Sequence, residues 1–243
     1  MTISHGFAAF IDFETTGLDT EKDEAVEFCA MVYEPVSRRY LKTFEGFFQA
    51  TYTEKSKAML NDLCGLDVAY IPILLDDDHE QFNAFCSLIK CGAITHLVAH
   101  NAPFDRAFFD RCCKKILGHT IEVTWIDSSA DFPFRDGIKT KRLSYLAADH
   151  GFLNPFAHRA FADCLTLYGI TKQYDWQDIL KYSLIPTVRI QAMVSYADKD
   201  KAKNAGFRWD DKTKAWYVEI KKTYNAIEDL GYDFPVREIK LKL

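Results

Sequence analysis

The sequence lacks any apolar run that approaches the roughly 20 residues required by a membrane-spanning helix. Its N-terminus also lacks the charged, apolar and small-residue regions of a signal peptide. A disordered chain is excluded as well, because 48% of the 243 residues are hydrophobic and 14% are aromatic. We therefore expect a soluble, cytoplasmic protein that builds a substantial core and has no membrane partner.

The sequence also lacks an even number of cysteines that could all pair. It contains seven, and they lie within apolar stretches. This pattern is typical of reduced thiols in the cytosol, so we expect no disulfide. Zinc binding by Cys86, Cys91, Cys112 and Cys113 is an alternative interpretation. It is disfavoured because neither spacing matches a zinc knuckle and no histidine completes a four-ligand set.

The sequence has no overall excess of positive charge, with 30 Lys and Arg residues against 35 Asp and Glu residues. The net charge of −5 argues against a nucleic-acid partner, because phosphate binding usually leaves a basic surface. The charge is unevenly distributed, however. Residues 187–243 contain 12 Lys and Arg residues and 9 Asp and Glu residues, so they carry about +3 and leave about −8 on the rest.

Strand and helix patterns intermix along the first three-quarters of the chain, which predicts an α/β domain over residues 1–180. Apolar residues at helical spacing follow the acidic run at residues 76–78, and Asn101 marks the start of another helix. Further helices are predicted near residues 143–147 and 161–168. Short apolar segments predict strands at residues 7–11, 25–33, 40–48, 97–99 and 121–126.

The composition changes after about residue 181, where lysine and aromatic residues become frequent. We expect a small α+β domain over residues 187–243. Its predicted elements are a strand from Val194, a lysine-rich helix at residues 199–205 and a second strand at residues 215–220. The segment looks like a short domain of uncharacterised function that recurs beside nucleic-acid enzymes.

Lysines in this tail are interleaved with Trp209, Trp216 and Tyr217, which favours a surface that binds nucleic acid. The alternative is a small domain that buries its tryptophans and whose positive charge is only a solvated face. In that case a protein is the expected partner of the C-terminal domain.

The first predicted strand ends in two acidic residues, Asp12 and Glu14. Because strand side chains alternate, residues two apart point to the same face of the sheet. Like charges held this close favour a divalent cation, and Mg²⁺ or Mn²⁺ is expected where the ligands are all oxygen. Taken alone, the pair is also typical of a solvated turn.

Three motifs along the chain agree with a metal site. They are Asp-Phe-Glu-Thr-Thr-Gly at residues 12–17, Val-Ala-His-Asn at residues 98–101 followed by Phe104 and Asp105, and His158 followed five residues later by Asp163. In this order and spacing, the chain resembles the DEDDh family of 3′→5′ exonucleases, which includes exonuclease X and the proofreading epsilon subunit of DNA polymerase III. One departure is visible at residues 64–66, where Cys-Gly-Leu replaces the His-Gly-Ile of many members.

The resemblance implies a ribonuclease-H-like fold, in which helices flank a five-stranded mixed sheet whose second strand is antiparallel to the rest. It also implies two divalent ions, Mg²⁺ or Mn²⁺, in each active site. Their implied ligands are the carboxylates of Asp12, Glu14, Asp105 and Asp163. Glu14 and His158 are the implied catalytic residues, and His158 would accept or orient a proton of the water nucleophile because imidazole titrates near neutral pH.

Substrate contacts are implied by the resemblance as well. Thr15 would bond the sugar of the terminal nucleotide, and Leu18 would wedge against its base. Phe104, as an aromatic residue at a helix start, is expected to stack on a base or to pack in the core. Asn101 is expected to cap a helix rather than to touch substrate. Arg159 is expected to contact phosphate or to remain a surface charge.

The sequence thus predicts a metal-dependent 3′→5′ exonuclease that releases nucleoside 5′-monophosphates from single-stranded or frayed 3′ ends. DNA is preferred over RNA because of the resemblance to proofreading and repair enzymes. An RNA-trimming 3′ exoribonuclease is the close alternative, since no residue is visible that would recognise a 2′-hydroxyl. An inactive nucleic-acid-binding protein on the same fold is disfavoured, because all five active-site residues are present.

Overall fold

Two β-sheets organise the chain in the computed structural model, which describes residues 6–75, 79–135, 137–138 and 140–239. Each sheet belongs to its own compact unit, Met1–Leu180 or Lys181–Leu243. Over the described ranges, no helix combines the length and the apolar character that crossing a membrane requires.

The first unit alternates strands and helices. Its strands are β1 (Phe7–Thr15), β2 (Ala25–Glu34), β3 (Arg39–Phe47), β4 (Ile94–Ala99) and β5 (Thr124–Asp127). Its helices are α1 (Glu54–Cys64), α2 (Ile71–Leu74), α3 (Glu80–Lys90), α4 (Ala102–Leu117), α5 (Leu143–Asp149) and α6 (Ala160–Thr171). The boundary between the units lies within helix α7 (Trp176–Ser183).

The five strands form one mixed sheet in the order β3-β2-β1-β4-β5. Strand β2 runs antiparallel to β1 and β3, whereas β1, β4 and β5 are parallel to one another. This confirms the expected sheet, with its second strand antiparallel to the rest. Because β1, β4 and β5 are parallel, their carboxyl ends meet at one edge, where open α/β sheets form their binding sites.

Helices cover both faces of this sheet, so its central strands are apolar on both sides. Along β1, Ala9 and Ile11 pack with residues of α3 and α4, whereas Ala8 and Phe10 pack with residues of α5, α6 and α7. Asp12 continues the second series, so its side chain points to the face that α6 covers. The strand periodicity therefore directs the acids of β1 toward α6.

Helix α1 has no counterpart in the sequence prediction, although both of its ends are marked. Thr53 and Ser56 form a capping box at its start, and Gly65 ends it with a left-handed φ of 60°. Between these ends, Leu60 and Cys64 are buried in a small cluster beside β2. The apolar positions are sparse, so hydrophobic periodicity does not reveal the helix.

The second unit is an antiparallel sheet. Its elements are β6 (Thr187–Ala192), α8 (Lys199–Asn204), β7 (Arg208–Asp210), β8 (Ala215–Lys221), a 3₁₀ helix (Ile227–Leu230) and β9 (Val236–Ile239), with the strand order β7-β8-β6-β9. Val188 and Ile190 of β6 pack in one core with Ala202 of α8 and with Phe207 and Phe234. The 3₁₀ helix and β9 have no counterpart in the sequence prediction.

Some predicted boundaries differ from the structure. Strand β5 begins later than predicted, at Thr124, where its pairing with β4 starts. The first strand of the tail ends at Ala192, so its predicted start at Val194 is wrong. Val194 packs against the core of the second unit, which accounts for its apolar character. The acidic run at residues 76–78 lies outside the described residues, and α3 begins at Glu80.

Candidate active site

A cleft of about 590 Å³ opens where β1 and β4 end. Its lining comes from β1 and the loop after it, from the end of α1, from the starts of α4 and α5, from the loop before α6 and from α6 itself. All eight residues assigned to metal, catalysis or substrate from the sequence line this cleft: Asp12, Glu14, Thr15, Leu18, Phe104, Asp105, His158 and Asp163. The fold thus brings together segments that are far apart along the chain.

Three carboxylates form a compact group in the cleft. One oxygen from each of Asp12, Glu14 and Asp163 lies within 4.8 Å of the other two. The β1–β2 register places Asp12 opposite Cys29 and Glu14 opposite Glu27, and a β-bulge follows directly after Glu14. The two acids of β1 therefore point to the same face, and the bulge bends the chain where the cleft begins.

The cysteines considered for zinc form no comparable group in the part of the chain that the structure describes. Cys86, Cys112 and Cys113 are buried among aromatic residues of the core, and Cys91 is exposed. All seven cysteines are free thiols. Their apolar surroundings give three of the four a packing role.

Asp163 lies in the first turn of α6, where the helix dipole favours a negative charge. Both of its oxygens are held. The side-chain amide of Asn154 donates to Oδ1 at 2.7 Å, and the backbone N–H of His158 donates to Oδ2 at 3.1 Å. His158 adopts a left-handed backbone with φ of 65°, which is unfavourable for a residue other than glycine. Its bond to Asp163 helps to hold that conformation.

Asp105 lies in the first turn of α4 and is only 2% exposed. Its Oδ1 accepts a hydrogen bond of 3.1 Å from the backbone N–H of Phe13, the residue between the two acids of β1. This bond ties α4 to β1. Asp105 lies outside the three-carboxylate group but lines the same cleft, so it adds a fourth negative charge beside the group.

Burial and mutual repulsion oppose the simultaneous ionisation of these four acids. Burial raises the pKa of Asp12 well above its usual range, and the neighbouring charges of Asp105, Asp163 and Glu14 raise it further. Burial also raises the pKa of Asp105 and of Asp163, although backbone N–H groups oppose both shifts. For Glu14, burial raises the pKa to about 7, against the lowering effect of a hydrogen bond from the Cys64 thiol.

Cys64 and Arg142 are cleft residues to which the sequence prediction gives no role. The thiol of Cys64, at the end of α1, donates to Oε2 of Glu14 at 3.2 Å. Arg142, at the N-cap of α5, is exposed and brings a positive charge to the acidic cleft. Two features of the sequence could have indicated these residues: the departure from the family pattern at residues 64–66 and the basic stretch at residues 139–142.

Arg159 forms a bidentate ion pair within the protein, in place of the expected phosphate contact or surface charge. Its Nε and Nη2 atoms donate to the two carboxylate oxygens of Glu27, both at 3.0 Å. Glu27 is 4% exposed, so it would be an uncompensated buried charge without this partner. Because Glu27 lies opposite Glu14, the pair links the start of α6 to the strand beside the three-carboxylate group.

The residues expected to hold substrate occupy different environments. Leu18 is 82% exposed, so its side chain is free to meet a ligand. Thr15 is buried, and its hydroxyl donates to a backbone carbonyl two residues ahead, which leaves only its acceptor capacity for a sugar. Phe104 packs against Phe108 with ring centroids 4.9 Å apart. Asn101 takes the N-cap position of α4, but its side chain forms no capping bond and its φ is 70°.

Comparison with named proteins decides the family. The DNA polymerase III subunit epsilon of Treponema pallidum (strain Nichols) is 31% identical to this chain over 173 residues, a match that covers 67% of this chain and 74% of that protein. The chain belongs to the DEDDh family of 3′→5′ exonucleases. As a DEDDh enzyme, it is an exonuclease that acts at the 3′ ends of DNA or RNA.

Solved structures share the DEDDh fold. The zinc-bound complex of E. coli ExoI with ssDNA matches with a TM-score of 0.58 at 12% identity, covering 96% of this chain and 63% of that one. The nuclease domain of 3′hExo, a DEDDh family member bound to rAMP, matches with a TM-score of 0.53 at 12% identity, covering 70% of this chain and 92% of that one. These likenesses confirm the ribonuclease-H-like fold.

The second unit matches a family model of its own. Residues 189–229 match the model described as "Domain of unknown function (DUF5710)". This agrees with the resemblance of the tail to a short domain of uncharacterised function. The DEDDh assignment therefore describes the first unit, and the match to DUF5710 assigns no activity to the second.

The DEDDh fold implies divalent metal ions, and the donor set of this cleft fits them. The candidate ligands are carboxylate oxygens, which hard cations such as Mg²⁺ and Mn²⁺ prefer. Their raised pKa values reflect a repulsion that a bound cation would relieve.

The metal-free protein should become less stable as the pH rises through the range in which Glu14 ionises. A carboxyl whose pKa is raised by folding contributes stability below its unfolded pKa, near 4.5, and loses it as the pH rises through its folded value of about 7. At about 1.4 kcal/mol per pKa unit, Glu14 accounts for on the order of 3 kcal/mol. The measurement is guanidinium unfolding in EDTA at several pH values, for wild type and Glu14→Gln.

The Glu14→Gln variant is the matched comparison for the wild type, because it keeps the shape of the side chain and removes the titrating group. Its free energy of unfolding should fall less steeply than that of the wild type between about pH 4.5 and 8. Parallel curves for the two proteins would show that Glu14 is not crowded in the folded state.

Proposed function

We propose that this chain is a metal-dependent 3′→5′ exonuclease that shortens single-stranded or frayed DNA and releases nucleoside 5′-monophosphates. The observation that carries the proposal is the grouping of Asp12, Glu14 and Asp163 within 4.8 Å, in an open cleft that also holds Asp105 and His158. Metal-assisted phosphoryl displacement needs such a group of carboxylates.

In this proposal Asp12, Glu14 and Asp163 would hold one divalent ion, and Asp12 and Asp105 would hold a second. Such ions would supply positive charge that lowers the pKa of a water nucleophile and stabilises the leaving oxygen. The protein orients the carboxylates of Asp105, Asp163 and Glu14 through the hydrogen bonds that they accept. Mg²⁺ and Mn²⁺ both suit these hard oxygen ligands.

His158 is the proposed general base. It lines the cleft and is exposed, so its ring can reach a water or a substrate that enters there. Water attacks the terminal phosphorus, the bond from phosphorus to the 3′ oxygen of the preceding nucleotide breaks, and His158 takes the proton of the water. The leaving oxygen gains a proton from solvent, so the products are a 5′-mononucleotide and a strand with a new 3′-hydroxyl.

Substrate holding is proposed for the residues that border the carboxylates. Leu18, which is exposed, would press against the terminal base, and Phe104 would offer the edge of a ring that is already packed on the core. Thr15 would accept a hydrogen bond from the sugar hydroxyl, because its own proton is used within the protein. Arg142 would face the phosphate backbone at the cleft.

DNA is the proposed substrate because the sequence relative is named as a DNA polymerase subunit. An RNA-trimming activity is the second candidate, and the complex of 3′hExo with rAMP favours testing it. A 2′-hydroxyl would separate the two substrates only if a cleft group bonded it. A 5′-labelled ladder from matched DNA and RNA oligonucleotides measures both activities and the direction of digestion.

Replacing Asp12 or Asp163 by Asn should lower hydrolysis of 5′-labelled single-stranded DNA below about one tenth of the wild-type rate. Loss of a metal ligand should raise the barrier by several kcal/mol, and about 1.4 kcal/mol already corresponds to tenfold. Asp149→Asn, at an exposed position of α5, is the matched control and should retain full activity. A rate above one tenth in either ligand variant contradicts the assignment.

Replacing His158 by Ala should lower turnover by roughly 10² to 10⁴ while Mn²⁺ binding persists, as expected for a lost general base. Calorimetric titration with Mn²⁺ separates this role from that of a metal ligand. His119→Ala, at an exposed position after α4, is the control and should match the wild type. Loss of Mn²⁺ binding in the His158 variant would mean that this residue supports the metal site instead.

A further inference from the structure

The second unit has one covered and one open sheet face. Trp216, Val218 and Ile220 of β8 point into the core with Val188 and Ile190 of β6. The residues between them on each strand therefore point to the opposite face. This outer face lies on the far side of the sheet from Ala202 of α8, which packs in that core.

The strand register aligns four polar side chains across this outer face. Arg208 of β7 pairs with Tyr217 of β8, Tyr217 pairs with Gln191 of β6, and Gln191 pairs with Arg237 of β9. The row crosses all four strands, so its end residues are roughly 14 Å apart at the usual strand spacing of about 4.8 Å. Arg237 Nε donates to Gln191 Oε1 at 2.9 Å, which fixes one end of the row.

The tryptophans are not part of this row. Trp216 packs against the core, and Trp209 contacts it with ring centroids 5.7 Å apart on the inner side. Of the three aromatic residues predicted to contact nucleic acid, Tyr217 alone is on the outer face. The lysines of α8 likewise belong to the side of the sheet that the helix covers.

A stacked pair lies beside the middle of the row. The guanidinium carbon of Arg189 lies 4.1 Å from the centroid of the Tyr217 ring. Arg189 is held there by Glu219 at 2.6 Å and by Asp210 at 3.5 Å. Guanidinium planes and aromatic rings are the groups on which unpaired bases stack. The pair thus holds both kinds of stacking group together before any ligand binds.

The ends of the row suit phosphate. Arg208 and Arg237 are exposed, and neither forms an ion pair with any residue that the structure describes. Arginine binds phosphate through two parallel hydrogen bonds, and two such side chains spaced across a sheet can contact separate phosphates of one strand. Glu219 and Asp210 are both paired with Arg189, so the three arginines of this face stand against two acids and leave it a net charge of +1.

We infer that this outer face, formed by Arg208, Tyr217, Arg189, Gln191 and Arg237, binds single-stranded nucleic acid. The inference rests on the proposed function, because the strand held here is the substrate that the first unit digests. A protein partner fits this face less well, since stable protein interfaces have an apolar centre and the apolar residues of these strands mostly face the core.

The test measures binding of a 5′-fluorescein-labelled 20-nucleotide poly(dT) to the full-length chain in EDTA, where no metal-dependent hydrolysis occurs. The Arg208→Gln/Arg237→Gln variant should show a salt dependence of affinity that is shallower by about two units of slope, one for each lost phosphate contact. Lys201→Gln/Lys203→Gln in α8 removes the same charge from exposed positions and should leave the slope unchanged.

Replacement of Tyr217 separates stacking from charge. Tyr217→Ala should weaken binding about tenfold, whereas Tyr217→Phe keeps the ring and should bind as the wild type does. Equal effects of the arginine and lysine pairs, or equal affinities of the two Tyr217 variants, would overturn the inference. Hydrolysis of a trinucleotide by the wild-type chain in Mg²⁺ tests the proposed function separately, because its absence would leave the binding results in EDTA intact.

Discussion

Repulsion among four carboxylates, two of them buried and two half-buried, is the constraint on which the first unit depends. Three of their oxygens lie within 4.8 Å, and Asp105 adds a fourth charge at 2% exposure. Asp105, Asp163 and Glu14 each accept a hydrogen bond from a neighbouring residue, and strand β1 positions Asp12. The protein thus maintains an arrangement that is unfavourable without a counterion, and a divalent cation is the partner that would make it favourable.

The surrounding structure supplies compensation at each of these points. First turns of helices carry Asp105 and Asp163, where backbone dipoles favour negative charge. The ion pair of Arg159 with Glu27 neutralises the acid opposite Glu14 and fixes the start of α6 to β2. His158 lies between these anchors with a left-handed backbone, so its position is determined by its neighbours rather than by its own preference.

The sequence predicts the sheet and the metal-ligand candidates because both leave local signals. Asp12 and Glu14 are two residues apart, so strand alternation places them on the same face. The remaining acids belong to motifs with fixed offsets. The partner of Arg159 leaves no such signal, because it lies 132 residues away and is chosen by packing. The outer face of the second unit could not be predicted for the same reason. It depends on the register of β6 with β9, a strand absent from the sequence prediction.

Proton release on metal binding tests the central claim most directly. Calorimetric titration with Mg²⁺ in two buffers of different ionisation enthalpy gives the number of protons released, because ligands must lose their protons to bind. If the carboxylates are crowded and partly protonated when metal-free, binding should release more protons at about pH 6 than at about pH 8.5. Binding without proton release at both pH values would contradict the account.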